Sequence, residues 1–151
     1  MSYTLPSKQA NNLIFLGLIL FLLGLIVGLF VHHMTNPRMA LSAHLEGVMN
    51  GMLLILLGLI WKRILLPKIW LNIAFGFAIY GTFANLTAVL LAAITGFGKM
   101  MPLANGREGT GIIETLISFL LLSLSLSMLA VCLLVLTGFY KHMKQPAMEE
   151  K

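Results

Sequence analysis

Residues 43 to 61 read AHLEGVMNGMLLILLGLIW, and this stretch decides the fold. An imidazole, a carboxylate and an amide, those of His44, Glu46 and Asn50, lie within seven residues of one another. From Leu53 to Trp61 the sequence is purely apolar apart from Gly58. Ionisable groups in hydrocarbon cost roughly 2.5–3.5 kcal/mol in the worst cases, so they are rare there without a functional reason. The stretch predicts a membrane helix that carries a functional site near one end.

Composition extends this prediction to the whole chain. Of its 151 residues 59% are hydrophobic and 10% are charged, whereas a soluble domain carries roughly 25% charged residues. Four apolar runs are each long enough to cross a hydrocarbon core of about 30 Å. They lie at Asn12 to Val31, Leu41 to Trp61, Ile69 to Thr95 and Gly111 to Tyr140. We therefore predict an all-α integral membrane four-helix bundle that forms one domain, with the prolines outside the spans.

The basic residues predict the orientation. Seven lie on the side that holds both termini, and three lie on the other side. The seven are Lys8, Lys62, Arg63, Lys68, Lys141, Lys144 and Lys151, and the three are Arg38, Lys99 and Arg107. Because cytoplasmic loops carry excess Lys and Arg, we expect a multi-pass protein of the bacterial inner membrane with both termini in the cytoplasm. Since these residues flank the spans, the net charge of +5 does not indicate a nucleic-acid partner.

Two small-xxx-small pairs, Gly24 with Gly28 and Gly47 with Gly51, allow close approach of helices. These pairs would allow two helices to pack closely, either within one chain or at an interface between protomers. A protein this small with polar groups to cover also suggests a homo-oligomer. The single cysteine, Cys132, permits neither an intrachain disulfide nor a cysteine metal site.

His44 has two interpretations. A histidine within a membrane span is often a hydrogen-bonding partner of a neighbouring helix. Neutral imidazole is also a common metal ligand. Gly47 and Gly51 share a helix face with His44, where they would leave room for a large flat molecule. His32, His33 and His142 lie at span ends, which disfavours a haem held by two histidines of one chain; a partner protomer would have to supply the second.

The polar side chains around His44 are also open to two readings. Glu46 and Asn50 are four residues apart and share a helix face. Asn85, deep in the third span, either bonds Asn50 or helps to line a polar pocket. Glu114 fits stabilisation of a helix N-terminus, with Thr110 as its cap. The glycine-rich third loop, residues 96 to 110, predicts a flexible lid or a packed cap.

The segment Ala43-His44-x-x-Gly47-x-x-Asn50-Gly51-Met52 resembles the second helix of the styrene oxide isomerase family. Residues 80 to 85, 98 to 102 and 117 to 125 look more like hydroxylaminobenzene mutases, a sister group. The resemblance extends from about His32 to Tyr140 and includes the length and the four spans. It departs from the isomerases around Asn85, because they carry an aspartate shortly before this position and a tyrosine shortly after it. Here the neighbouring residues read Tyr80-Gly81 and Ala88-Val89-Leu90, which favours the mutases.

The resemblance implies a site. His44 would be the axial ligand of haem b iron, with Gly47 and Gly51 beside the cofactor. Asn50 would line the open face of the iron, and Asn85 matches an asparagine of the third helix. The family also suggests a homotrimer with the haem near a protomer interface.

The expected activity is an isomerisation in aromatic degradation, in which an aryl hydroxylamine becomes an ortho-aminophenol. Ferric haem would act as a Lewis acid, and Asn50 and Asn85 would hold the migrating oxygen. Glu46 or Glu114 would carry the proton. One alternative is an epoxide-to-carbonyl isomerase on the same scaffold. Another is a non-catalytic protein, either a b-haem electron carrier or a packing subunit of a membrane complex.

Overall fold

The chain folds into four long helices, which confirms the predicted all-α bundle. A computed structural model describes residues 5 to 144. The helices are α1 (Leu5–Leu29), α2 (Pro37–Ile60), α3 (Lys68–Thr95) and α4 (Ile112–Met143). Short 3₁₀ turns at Val31–His33, Trp61–Arg63 and Pro102–Ala104 lie in the connections. All four helices are long and apolar enough to span a membrane.

Two helices begin a full turn or more before the predicted residue, and α3 begins one residue early. The first begins at Leu5 instead of Asn12, and α2 begins at Pro37 instead of Leu41. Pro6 and Pro37 therefore lie in first helical turns rather than outside the helices. Proline is tolerated there because the amide it lacks would have no acceptor within the helix. Pro146 lies outside the described residues.

The helices pack as antiparallel neighbours in chain order. The most extensive contact joins α1 to α2, and α4 packs mainly on α3. In the most apolar part of α4 only 11% of the residues are buried, against 50% in α3. Leu122, Leu126 and Leu129 of α4 are each at least 60% exposed. An apolar surface of this extent fits lipid or a second protomer rather than water.

Glycines bring α1 and α2 into backbone contact. A Cβ atom on Gly47 would lie 2.5 Å from Gly24 Cα, and one on Gly51 would lie 2.6 Å from Phe21 N. Such distances are far below van der Waals contact, so only glycine fits. Gly24, Gly47 and Gly51 therefore serve packing within the chain.

Polar side chains tie three helices together at the base of the bundle, where α1 begins, α2 ends and α3 begins. Trp61 Nε1 donates to Gln9 Oε1 at 3.1 Å, and Gln9 Nε2 donates to Asn72 Oδ1 at 2.8 Å. Gln9 and Trp61 are both buried. This contact explains why α1 begins before its apolar run, because the helix must include Gln9 for that buried side chain to reach its partners.

The opposite end, which we name the cap end, consists of the start of α2, the end of α3, the start of α4 and the third loop. Asn36 Oδ1 accepts from Arg38 N and Met39 N at the start of α2. Its Nδ2 donates to Ala104 O at 3.0 Å and Asn105 O at 3.1 Å in the third loop. Asn36 thus caps a helix and anchors the loop, which forms a packed cap.

Candidate active site

The ring of His44 is oriented by α1. Nδ1 lies 2.8 Å from Gly24 O, and a carbonyl oxygen can only accept a hydrogen bond. A proton therefore resides on Nδ1, and in the neutral ring Nε2 carries the free lone pair. Histidines that bind metals commonly donate their other ring N–H to a backbone carbonyl in this way. His44 is half-buried, so its ring combines a fixed tautomer with access for a ligand.

Glu46, Asn50 and Asn85 form one hydrogen-bonded group, which we name the carboxylate cluster. Asn85 Nδ2 donates to Glu46 Oε2 at 2.5 Å, and Asn50 Nδ2 donates to the same oxygen at 3.3 Å. The amides of Asn50 and Asn85 do not bond each other. A bond between them was one of the two arrangements considered from the sequence. The bond from Asn85 joins α3 to α2 at the depth of the predicted site.

One oxygen of each member of the cluster remains available. Within residues 5 to 144, Glu46 Oε1, Asn50 Oδ1 and Asn85 Oδ1 accept no hydrogen bond. None of the three is a fully buried atom. An open acceptor within a membrane helix is unfavourable unless water, a substrate or another protomer supplies a donor. The cluster can therefore accept hydrogen bonds from water, a substrate or another protomer.

The structure separates His44 from the carboxylate cluster. His44 and Glu46 are two residues apart on one helix, so their side chains point about 160° apart around the helix axis. Accordingly His44 bonds α1, whereas Glu46 bonds α3. Three cavities, at the cap end, beside the start of α4, and between α2 and the second half of α4, are all lined by other residues. Within one chain, His44 and the carboxylate cluster therefore lie on different sides of α2.

The space expected beside Gly47 and Gly51 is filled by α1, so this expectation from the sequence was wrong within one chain. A Cβ on Gly51 would lie 2.8 Å from Gly17 O, and one on Gly47 would contact Gly24. The helix pattern correctly placed both glycines near His44. It could not show that a neighbouring backbone occupies the space that the missing side chains leave.

Glu114 lies apart from the carboxylate cluster and holds the third loop. Its Oε1 accepts from Lys99 N at 3.1 Å and its Oε2 from Gly109 N at 3.1 Å. The side chain is only 4% exposed, so both oxygens are committed to the loop. A role in proton transfer stays a prediction, and the geometry suits an anchor. Thr110 does not cap α4: the helix begins after Gly111 and has no side-chain cap.

The donor set around His44 suits haem better than a bare metal ion. Within the described part of the chain no three His, Cys, Asp or Glu side chains come together as a metal site. Haem iron needs only one or two protein ligands because the porphyrin supplies the others, and a proximal histidine is common. The lone, tautomer-fixed Nε2 of His44 fits that requirement.

The chain is similar over most of its length to proteins of one family. The model of the styrene oxide isomerase family matches residues 9 to 140. The chain belongs to this family. Hydroxylaminobenzene mutase HabB of Ectopseudomonas oleovorans is 54% identical over 143 residues, which cover 91% of this chain and 87% of HabB. Hydroxylaminobenzene mutase HabA of the same organism is 45% identical over 127 residues, 83% of this chain and 94% of HabA. No solved structure matches.

Family membership confirms two predictions. The protein is an enzyme of the isomerase and mutase type, as both relatives are mutases. It is also a membrane protein, since the family is one of membrane isomerases and the chain has four helices that can span a bilayer. The non-catalytic alternatives, a b-haem electron carrier and a packing subunit, receive no support from these relatives.

Proposed function

We propose that the protein converts an aryl hydroxylamine to an ortho-aminophenol in aromatic degradation. Two mutase relatives that cover most of the chain support this reaction. The observation that carries it is the carboxylate cluster with its open acceptors. The –NH–OH group of the substrate is rich in donors, and an epoxide has none.

The reaction is an isomerisation, so every atom and electron stays in the molecule. The N–O bond breaks and a C–O bond forms at the ortho carbon of the ring. The hydrogen on that carbon leaves as a proton, and the nitrogen gains one. The enzyme therefore needs a group that polarises the N–O bond, a base that returns its proton as an acid, and a dry cavity.

Glu46 is the base in this proposal. It is the only carboxylate on α2 and α3. The amides of Asn50 and Asn85 both donate to Oε2, so this oxygen is held as an acceptor. Oε1 is free to take the ortho proton and deliver it to nitrogen, which is general acid–base catalysis.

The two asparagines orient the substrate. Each uses one N–H on Glu46, which fixes the amide plane and presents Oδ1. Those oxygens would accept from the substrate N–H and O–H and hold the hydroxylamine against Glu46. The surrounding apolar side chains would hold the ring and exclude water, which would otherwise compete for the ring carbon.

Haem b is the proposed cofactor, and Nε2 of His44 would hold it. When bound, ferric haem supplies a Lewis acid that polarises the N–O bond. Gly47 and Gly51 have no part in this proposal because α1 covers them.

A homotrimer is the proposed assembly. His44 and the carboxylate cluster lie on opposite flanks of α2. In a closed assembly, a ligand held by His44 of one protomer could meet the carboxylate cluster of a neighbouring protomer. The exposed apolar faces of the helices provide surface for such contacts.

The bacterial inner membrane, with both termini in the cytoplasm, is the proposed location. The distribution of basic residues supports it, with seven on the side of the termini and three on the other. The cap end would then face outward. Small aryl hydroxylamines would reach the site from the bilayer.

The test is a product assay on detergent-purified protein from haem-replete cells. We expect phenylhydroxylamine to yield 2-aminophenol without added oxidant or reductant. Styrene oxide is the parallel substrate because the family description favours an epoxide isomerase as second candidate. Conversion of styrene oxide to phenylacetaldehyde with no reaction of phenylhydroxylamine would reject the proposal in favour of that candidate.

A further inference from the structure

Two glycines of α1 lie beside the ring of His44: one bonds it through its carbonyl oxygen, and the other leaves space for it. The carbonyl is that of Gly24, 2.8 Å from Nδ1. In an α-helix this oxygen also accepts the amide of the residue four positions later, Gly28. A carbonyl has two lone pairs, so it can hold the helix bond and the imidazole at once, provided that nothing stands between the ring and the oxygen.

Gly28 leaves that path open. A Cβ at this position would lie 2.7 Å from His44 Nδ1, 3.1 Å from Cε1 and 3.2 Å from Cγ. All three of its nearest atoms belong to the imidazole. A methyl group at residue 28 would therefore collide with the ring where it bonds Gly24.

The other glycines of the α1–α2 contact have different neighbours. A Cβ on Gly17 would meet Gly51 O at 2.7 Å and the side chain of Ile55 at 2.8 Å. That position serves the packing of the two helices and lies away from His44. Gly76 of α3 makes no such contact, since a Cβ there would meet nothing within 4 Å. A methyl group at Gly76 therefore disturbs neither the packing of α1 on α2 nor the ring of His44.

We propose that Gly24 and Gly28 are positioning residues for the metal-binding histidine. The Gly24 carbonyl fixes the Nδ1–H tautomer, and the missing side chain of Gly28 admits the ring to that carbonyl. Nε2 is then presented as a ligand in one orientation. The inference rests on the proposed haem site for its consequence, but the tautomer of His44 is a property of the polypeptide alone.

Substitution of Gly28 has a defined consequence. In Gly28→Ala the methyl group displaces the imidazole, the bond to Gly24 is lost, and the ring is free to adopt either tautomer. Loss of a partner that orients a metal-binding histidine typically lowers metal affinity 10- to 100-fold. We expect haem affinity to fall by about that factor. The matched control, Gly76→Ala, adds the same methyl group to a helical glycine with open space around it and should leave haem affinity unchanged.

Two measurements on the full-length protein test the proposal. The first is ¹⁵N NMR of histidine-labelled, haem-free protein at alkaline pH, with His44 assigned by its absence in His44→Gln. We expect His44 in the Nδ1–H form in the wild type and in Gly76→Ala, and a mixture in Gly28→Ala. The second is haem titration of the three proteins, followed by the Soret band.

The outcomes distinguish this inference from the proposed function. An Nε2–H tautomer in the wild type overturns the inference whether or not Gly28→Ala folds. An unchanged tautomer and unchanged haem affinity in Gly28→Ala overturn it too. A wild type that keeps the Nδ1–H tautomer and takes up no haem supports the positioning by α1 and rejects the cofactor of the proposed function.

Discussion

Two glutamates within helices of the same bundle are treated in opposite ways. Glu114 is 4% exposed, and each of its oxygens accepts a backbone amide of the third loop. Glu46 is half-buried, and one oxygen accepts two side-chain amides while the other accepts nothing from the described residues. The first carboxylate is fully satisfied within the fold. The second retains an open oxygen, as expected of a group that meets a substrate.

Substitution of Glu46 should have the largest effect on activity. Glu46→Gln keeps an oxygen for the amides of Asn50 and Asn85 but cannot exchange a proton. We expect the rate of 2-aminophenol formation to fall by about 10²–10⁴-fold, the usual contribution of a general acid–base group. Initial rates per mole of folded protein would measure this.

Glu108→Gln is the matched control, because it removes a carboxylate from the exposed third loop. We expect it to retain wild-type rates. Equal losses in Glu46→Gln and Glu108→Gln would indicate that the rate depends on overall charge rather than on Glu46.

Substitution of Glu114 should affect stability rather than chemistry. Glu114→Ala leaves the amides of Lys99 and Gly109 without their acceptor near a buried position. We expect a loss of about 2 kcal/mol in the free energy of unfolding, since bonds to charged groups contribute roughly 1.5–3 kcal/mol. Tryptophan fluorescence during denaturation would report it, and the rate per folded molecule should be retained. A stable Glu114→Ala protein without activity would reverse the assigned roles of the two glutamates.

Substitution of the two asparagines should destabilise the protein to different, smaller extents. Asn85 donates to Glu46 at 2.5 Å across two helices, whereas Asn50 donates at 3.3 Å within α2. We expect Asn85→Ala to cost about 1 kcal/mol of stability and Asn50→Ala less. Parallel denaturation curves of the two variants would measure the difference. Greater destabilisation by Asn50→Ala would contradict the bonding arrangement of the cluster.

The sequence predicted the helices well because their signal is local. Long apolar runs required four spans, and the end of α3 at Thr95 was predicted correctly. The start of α1 was missed since it depends on Gln9, whose partners Trp61 and Asn72 lie 52 and 63 residues away. The residues near Gln9 in the sequence do not predict those contacts.

The polar residues of the candidate site were proposed from the sequence, but their hydrogen-bond partners were not. Glu46 and Asn50 share a face by helix periodicity alone. The bond between Glu46 and Asn85 spans 39 residues and depends on how α2 packs against α3. The role of Gly47 likewise depends on a neighbouring helix. Periodicity places a side chain around its own axis and does not show what lies opposite.

The central claim of the proposed function is that His44 holds haem b. Its most direct test is the visible absorption spectrum of wild-type and His44→Ala proteins, purified in detergent from haem-replete cells. We expect a strong Soret band in the wild type and its loss in His44→Ala, with the helical content of both unchanged. A colourless wild-type protein that still forms 2-aminophenol, or a His44→Ala protein with full pigment and activity, would contradict the assignment of His44 as the haem ligand.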